Sequence, residues 1–271
     1  MGFADLHIHS SFSDGSLTPE EILKTAKEQE LFCVAITDHD SVEAYLNGGI
    51  LKNSYLEVIP AVELTTEYNS KEIHILGYFI NYQDKDFLKK LEFLKKMRIL
   101  RIKEMIKKLN ALNIDISFEE VTDFKNPSVL TRLHLARALL KKGFVNSILE
   151  AFTNFIGENA SCYVGGFHFS PSEAIRLIKN IKGIPVLAHP YSIGNLEEIL
   201  DYLIGSGLEG MEVYYPEHDV TRIRYYEGIA YKYNLLITGG SDFHGEERPK
   251  INIGSVRIPY ALVEKLKDKL C

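Results

Sequence analysis

Cysteine is scarce in this chain, and none of it is paired in sequence. Cys33, Cys162 and Cys271 are far apart, show no CxxC spacing and leave one thiol over, a usage that excludes a disulfide framework and suits a reducing compartment. No uncharged apolar run approaches the ~18 residues that cross a bilayer. The opening Met1-Gly2-Phe3-Ala4-Asp5-Leu6-His7 carries neither a basic nor an apolar leader segment, and Leu6 stands where a myristoylation signal needs Ser or Thr. These absences lead us to expect a cytoplasmic protein without a membrane anchor. There is no GxxxxGK[ST] phosphate loop, no GxGxxG after a strand, no HExxH and no GxSxG elbow, so covalent Ser or Cys catalysis finds no support. Repeats, low-complexity tracts and Pro/Gly-rich linkers are absent as well. What remains is 271 residues of ordinary globular composition, 45% hydrophobic and 25% charged, enough to bury roughly three quarters of the unfolded surface in one large domain with at most a small insert.

The net charge of −6 argues against a protein that coats nucleic acid, but it is unevenly spread. Residues 84–112 hold ten Lys or Arg against four acids, a local +6 that leaves −12 for the rest. Such a basic helix beside an acidic body is either a solvated face or a field that attracts polyanionic substrates.

Short β-branched runs alternate with helical patterns through most of the chain. Strands are predicted at Ala4–His9, Phe32–Thr37, Leu56–Leu64, Ile73–Ile80, Ile184–Ala188, Leu208–Tyr214, Leu235–Thr238 and Ile251–Ile258. Thr18-Pro19-Glu20-Glu21 and Ser170-Pro171-Ser172-Glu173 are helix-start signals. The alternation predicts an α/β fold on a mostly parallel sheet. Residues 83–160 interrupt it. They contain no convincing strand, and Phe87, Leu91, Leu94, Met97, Leu100, Met105, Ile106 and Leu109 follow helical spacing, with further helices expected over Leu130–Lys142 and Val145–Ile156. The expected organisation is therefore a β/α body of residues 1–82 and 161–271, with 83–160 as a helical insert.

Six of the nine histidines are read as sitting at or just beyond the C-terminal ends of the predicted strands. His7 and His9, two apart on the first strand, share a face, with Asp14 just after; His39 follows the second strand, Glu63 ends the third and His74 lies in the fourth. His189 ends the fifth, and Gly239-Gly240-Ser241-Asp242-Phe243-His244 closes the seventh, its glycines permitting a tight exit. Loops at the C-terminal ends of β/α strands converge on one rim. Nine ligand-type side chains delivered there point to a polynuclear centre of imidazole and carboxylate. Without thiolates, that suits Mn, Fe or Zn. Divalent ions would make the pocket locally cationic and favour an anionic ester substrate.

Asp5-Leu6-His7-Ile8-His9-Ser10 with Ser13-Asp14-Gly15, then Thr37-Asp38-His39-Asp40, Ala188-His189-Pro190 and Gly240-Ser241-Asp242-Phe243-His244 resemble the four motifs of the polymerase and histidinol phosphatase (PHP) superfamily. The resemblance spans nearly the whole chain. It implies a distorted seven-stranded β/α barrel with a site for two or three divalent ions: His7, His9, Glu63 and Asp242 at one; Glu63, His74 and His189 at a second; Asp14, His39 and His244 at a third. The insert resembles that of the stand-alone branch acting on 3',5'-bisphosphonucleotides and short RNA 5' ends, whose Gly-Arg-Pro-His element reads Thr131-Arg132-Leu133-His134 here. By that resemblance Arg132 is a phosphate clamp, His134 a second phosphate contact or a proton donor, and Asp242 joins them in the catalytic set. His218, after the sixth strand, is a further phosphate candidate. Asp38 and Asp40 are expected to orient ligand imidazoles or cap loops. Tyr78 and Tyr163 read as core residues with base stacking as the alternative, and His168 as structural. The expected function is metal-dependent hydrolysis of nucleotide phosphate esters, with a small phosphorylated nucleotide or short RNA as substrate and no obligate protein partner. Two alternatives stand beside it, a histidinol-phosphate phosphatase and a non-catalytic scaffold of the same fold.

Overall fold

The computed structural model describes residues 2–46, 50–52, 55–123, 127–165, 169–245, 248 and 250–270; the expectations for His168 and Cys271 lie outside them. The strands are β1 (Phe3–Ile8), β2 (Cys33–Ile36), β3 (Glu57–Tyr68), β4 (Lys71–Tyr78), β5 (Ile184–Leu187), β6 (Gly210–Tyr214), β7 (Leu236–Gly239) and β8 (Ile258–Pro259). They form one sheet in the order β7-β6-β5-β4-β3-β2-β1-β8. The segment after β7 meets β1 through an Ile8–Phe243 bridge and through Asp242 N–H to His7 O at 2.8 Å, which nearly closes the sheet into a barrel. The fold is thus the expected barrel type with one extra short strand. The predicted strand over Ile251–Ile258 shrinks to β8, because residues 251–257 make turns instead.

A second departure matters more for the site. β3 runs four residues past Leu64, turns through Asn69 and Ser70, both with positive φ (50° and 63°), and returns as an antiparallel β4. β4 also pairs antiparallel with β5, while β1–β2–β3 and β5–β6–β7 are parallel. His74 therefore reaches the rim from the start of its strand rather than the end. In β1 the register against β2 slips between Asp5 and Ile8. The bulge puts Ile8 into the layer under the helices and leaves His7 and His9 on the inner face.

Two apolar layers hold the barrel. Ala4, Leu6, Cys33, Ala35, Ile59, Ala61, Leu76, Tyr78 and Val186 fill its interior, with Val263 and Leu266 of α10 (Tyr260–Asp268) joining them. Tyr78 is a core residue, its hydroxyl donating to Leu6 O at 2.9 Å. Outside the sheet, helices α1 (Pro19–Glu28) and α7 (Pro171–Asn180) bury Ile22, Leu23, Ala26, Ala174, Ile175 and Ile178. Both begin with the capping boxes read from the sequence, Thr18 with Glu21 and Ser170 with Glu173.

Between β4 and α7 lie α3 (Lys85–Ala111), α4 (Phe118–Thr122), α5 (Arg132–Lys141), α6 (Ile148–Ala151) and a π-helical turn, Phe152–Ile156. α3 straddles two cores. Phe87, Leu91 and Leu94 pack on the barrel layer, whereas Ile102, Met105, Ile106 and Leu109 form a separate cluster with Val121, Leu135, Leu139 and Ile156. Leu100, expected inside, is 55% exposed, and Arg98 and Arg101 are buried in its stead. No helix among the described residues is long and apolar enough to cross a membrane.

Candidate metal centre and cavity

The rim gathers all nine side chains singled out from the sequence. His7 Nε2 and His9 Nε2 lie 3.2 Å apart. Each faces Glu63 Oε2 (3.5 and 3.2 Å) and Asp242 Oδ1 (3.3 and 3.1 Å). Donors bound tetrahedrally to an ion at ~2.1 Å sit about 3.4 Å from one another, so these five spacings are those of a ligand shell. The other oxygen, Glu63 Oε1, lies 2.9 Å from His74 Nδ1 and 3.1 Å from His189 Nε2. Asp14 faces His39 Nε2 at 3.8 Å, His244 Nε2 at 3.4 Å and His9 Nδ1 at 3.7 Å. Glu63 thus stands between two groups of donors, and His9 between the first and the third. Asp14 Oδ1 and His39 Nδ1 are buried without a hydrogen-bond partner among the described residues. His39 Nδ1 nonetheless lies 3.1 Å from Glu63 Oε2, and Asp14 Oδ1 3.4 Å from His244 Nε2; mixed imidazole and carboxylate donors at these separations fit divalent cations.

The electrostatics agree. Burial disfavours charge on His9 and His74, yet the carboxylates of Asp242 and Glu63 lift the His9 imidazole to about 10, and Glu63 and Glu72 lift His74 to about 9. The same pairing holds Glu63, Asp14 and Asp242 well below the usual carboxylate range despite their burial. His39 goes the other way, pushed well down by burial and by neighbouring imidazoles. Three buried carboxylates require positive charge, which protons or metal ions can supply.

Behind the donors stand residues that the sequence reading missed. Glu212, fully buried in β6, bonds His7 Nδ1 at 2.9 Å and accepts the His189 N–H at 2.8 Å, which leaves His7 Nε2 facing the cluster. Tyr215 donates to Asp242 Oδ2 at 2.6 Å, and Arg248 Nη1 reaches the same oxygen at 2.9 Å. Glu72 bonds His74 Nε2 at 3.0 Å. Asp5 accepts from the backbone of His7, Ser241 and Gly254 and so ties β1 to the loop after β7. Asp38 and Asp40 prove to be loop and helix anchors. Asp38 accepts from Ser10 and Ser13, Asp40 from Thr65 N–H and from Arg98 Nε at 2.6 Å. Neither contacts an imidazole among the described hydrogen bonds. Gly240 serves close approach rather than a special φ: a Cβ there would meet His7 N at 2.4 Å. The left-handed residues are instead Asp40, His189 and Asp242, at φ 47°, 24° and 49°, strain of the kind that gathers at functional sites.

The centre opens into a cavity of about 280 Å³. Arg98, Arg101, Arg132 and Arg248 line it beside the donors, and Leu133, Ile148 and Phe152 from the insert complete its wall. Arg132 is held there by Glu72 Oε1 at 2.8 Å, and Arg101 by Glu72 Oε2 at 2.9 Å. The structure gives other positions to two expected phosphate contacts. His134 is the capping-box partner of Thr131 at the start of α5, its Nδ1 accepting the Thr131 N–H at 3.0 Å, and it does not line the cavity. His218 is buried among Tyr191, Tyr215 and Tyr226 with Nδ1 bonded to Val213 O at 2.7 Å, also outside the lining. Tyr163 is half-buried, its ring 5.2 Å from the Arg101 guanidinium and 5.6 Å from that of Arg132.

Comparison with known proteins places this geometry. The PHP domain model matches residues 5–231. A 3',5'-nucleoside bisphosphate phosphatase of Chromobacterium violaceum is 28% identical over 255 residues, covering 90% of this chain and 88% of its own length. The 5'-3' exoribonuclease Rnm of Escherichia coli K12 is 29% identical over 257 residues, covering 92% and 87%. Among solved structures, a Bifidobacterium adolescentis protein classed as a metal-dependent phosphoesterase superposes with a TM-score of 0.87 at 25% identity, covering 97% of this chain and 94% of that one.

Proposed function

The chain belongs to the PHP domain family of metal-dependent phosphoesterases, and from that premise we propose that it hydrolyses nucleotide phosphate esters, either the 3'-phosphate of a 3',5'-bisphosphonucleotide or short RNA from its 5' end. One observation carries the reading. The donor cluster and four guanidinium groups share one cavity, so a phosphoryl group between them meets positive charge from the arginine side while its ester linkage faces the donors. His7, His9, Glu63 and Asp242 would hold one ion, Glu63, His74 and His189 a second, and Asp14, His39 and His244 a third. Imidazole and carboxylate without thiolate support Mn, Fe or Zn. Divalent ions held there supply Lewis acidity to the phosphoryl oxygens and lower the pKa of water enough for attack near neutral pH.

The chain's own groups do the positioning. Glu212 and Glu72 each take one nitrogen of His7 and His74 and leave the other facing the cluster. Tyr215 and Arg248 occupy Asp242 Oδ2, which reserves Oδ1 for the donors. Arg132, on the insert, can exchange its Glu72 partner for a phosphate with a fork of donors. The buried thiols of Cys33 and Cys162 support a reducing cytoplasm as the setting.

The test is manganese-dependent phosphate release from adenosine 3',5'-bisphosphate and from histidinol phosphate, run beside release of 5'-mononucleotide from a 5'-phosphorylated RNA trinucleotide. Turnover of the bisphosphate or the trinucleotide is the expected result. Turnover of histidinol phosphate alone would overturn the nucleotide assignment.

A further inference from the structure

The cavity is chemically lopsided. Among the described residues, every lining residue from the barrel and from α3 is charged, an imidazole or a threonine, and the three apolar side chains, Leu133, Ile148 and Phe152, all come from the insert. All three are only partly buried, so apolar surface is left facing a cavity otherwise built for anions. That surface has a definite construction. Ser147 caps α6, and at Phe152 the helix passes into a π-helical turn closed by Gly157 N–H to Phe152 O at 2.8 Å. Such turns are rare and gather at functional sites, because the extra residue re-aims the side chains around it. The Phe152 ring lies 5.6 Å from the Arg132 guanidinium, so a flat hydrophobic face and a flat cationic face adjoin.

We propose that Leu133, Ile148 and Phe152, with the guanidinium plane of Arg132, form a stacking subsite for the nucleobase, and that it accepts any base. The proposal rests on the nucleotide reading above and adds which part of the site meets the base, and how. Base edges are read by amide, hydroxyl or charged side chains; among the described residues the lining holds no Asn or Gln, and its arginines and Glu72 are committed to ion pairs. Its two uncharged polar side chains are engaged: Thr65 Oγ1 accepts from Arg98, and Thr131 Oγ1 caps α5. Stacking on aromatic or guanidinium faces is worth about 1–3 kcal/mol per base and is indifferent to sequence, since every base has a π face.

The experiment compares kcat/KM for adenosine 3',5'-bisphosphate and for the same ribose bisphosphate without its base, in the wild type and in Phe152→Leu, Phe152→Ala and Phe152→Tyr, each checked by thermal melting. Stacking predicts that the wild type prefers the base-bearing substrate by about 5- to 150-fold, with the four bases within about tenfold of one another. Phe152→Leu and Phe152→Ala lose most of that preference; Phe152→Tyr keeps it. Equal losses on both substrates, no wild-type preference for a base, or strong selection of one base would overturn the subsite. If neither bisphosphate is turned over while another phosphate monoester is, the nucleotide reading fails, and the subsite falls with it.

Discussion

Glu72 is the residue whose loss should be most informative, because one carboxylate serves three partners. Oε1 takes His74 Nε2 at 3.0 Å and Arg132 Nη2 at 2.8 Å, and Oε2 takes Arg101 Nη1 at 2.9 Å. Burial opposes its charge, but Arg132, His74 and Arg101 hold it well below the usual glutamate range. In Glu72→Gln the amide has one acceptor oxygen, and its NH2 group faces a guanidinium, so one arginine is stranded. Arginine cannot shed its proton, and the Arg101 side chain is only 7% exposed. Removing one partner of a buried pair costs about 3–5 kcal/mol. Since the Arg132 side chain at 17% exposure reaches some water, the low end, about 3 kcal/mol, applies. At about 2–4 °C per kcal/mol for a domain of this size, Tm should drop by roughly 10 °C in scanning calorimetry. His74 exchanges a carboxylate for a neutral amide oxygen that it shares with Arg132, which should weaken manganese retention or kcat/KM about 10- to 100-fold. Adding Arg101→Met to Glu72→Gln removes the stranded charge and should recover part of the Tm. A Glu72→Gln protein that melted within two degrees of wild type and kept full activity at limiting manganese would refute the reasoning.

Four further outcomes are expected. Arg132→Ala should raise KM for a nucleotide bisphosphate about tenfold while metal content by elemental analysis stays unchanged. Chelation should abolish activity and lower Tm, and manganese at a hundred times its dissociation constant should restore about 2.7 kcal/mol, read as a concentration-dependent melt. Gly240→Ala, whose Cβ would sit 2.4 Å from His7 N, should displace the β1 end and cut turnover at least tenfold, with secondary structure by circular dichroism intact. Glu173 accepts the Ser170 N–H, which holds its carboxyl below the usual glutamate value. Its capping contribution is therefore complete above the unfolded glutamate pKa and lost as pH falls through the lower folded one, so the Tm gap between wild type and Glu173→Gln should shrink between pH 6 and pH 3.

The parts of the site that could be read in the sequence are those whose chemistry is local. His7 and His9 two apart on a strand, His39 after a strand and Asp242 with His244 after a glycine pair each announce a ligand by residue type and by place. The structure gathers all of them at one rim. What stayed hidden depends on partners distant in sequence. The β3–β4 hairpin was missed because Thr65–Tyr68 is polar enough to read as loop, although Asn69 and Ser70 take the positive φ of a tight turn. Glu212 had a signal that went unused: a carboxylate between Met211 and Val213 in an apolar strand cannot be buried without a partner, and here the partners are His7 and His189.

The basic stretch shows the same logic most fully. Read as a solvated face or a steering field, residues 84–112 lost two members to the interior, and the pattern already contained the reason. Phe87, Leu91 and Leu94 recur at helical steps of four and three, and the next steps fall on Arg98, Arg101 and Met105, all buried. A stripe that continues through arginine still faces inward; it has changed what it packs against, from aliphatic side chains to carboxylates. Arg98 meets Asp40, one residue after His39, and Arg101 meets Glu72, which bonds His74. The helix that joins the barrel core to the insert core is thus pinned to a loop and to a strand, β4, that carry donor histidines. Helix α3 and the metal cluster are coupled through these two buried ion pairs, so a change in α3 that breaks either of them should register at the donors before it registers in the fold.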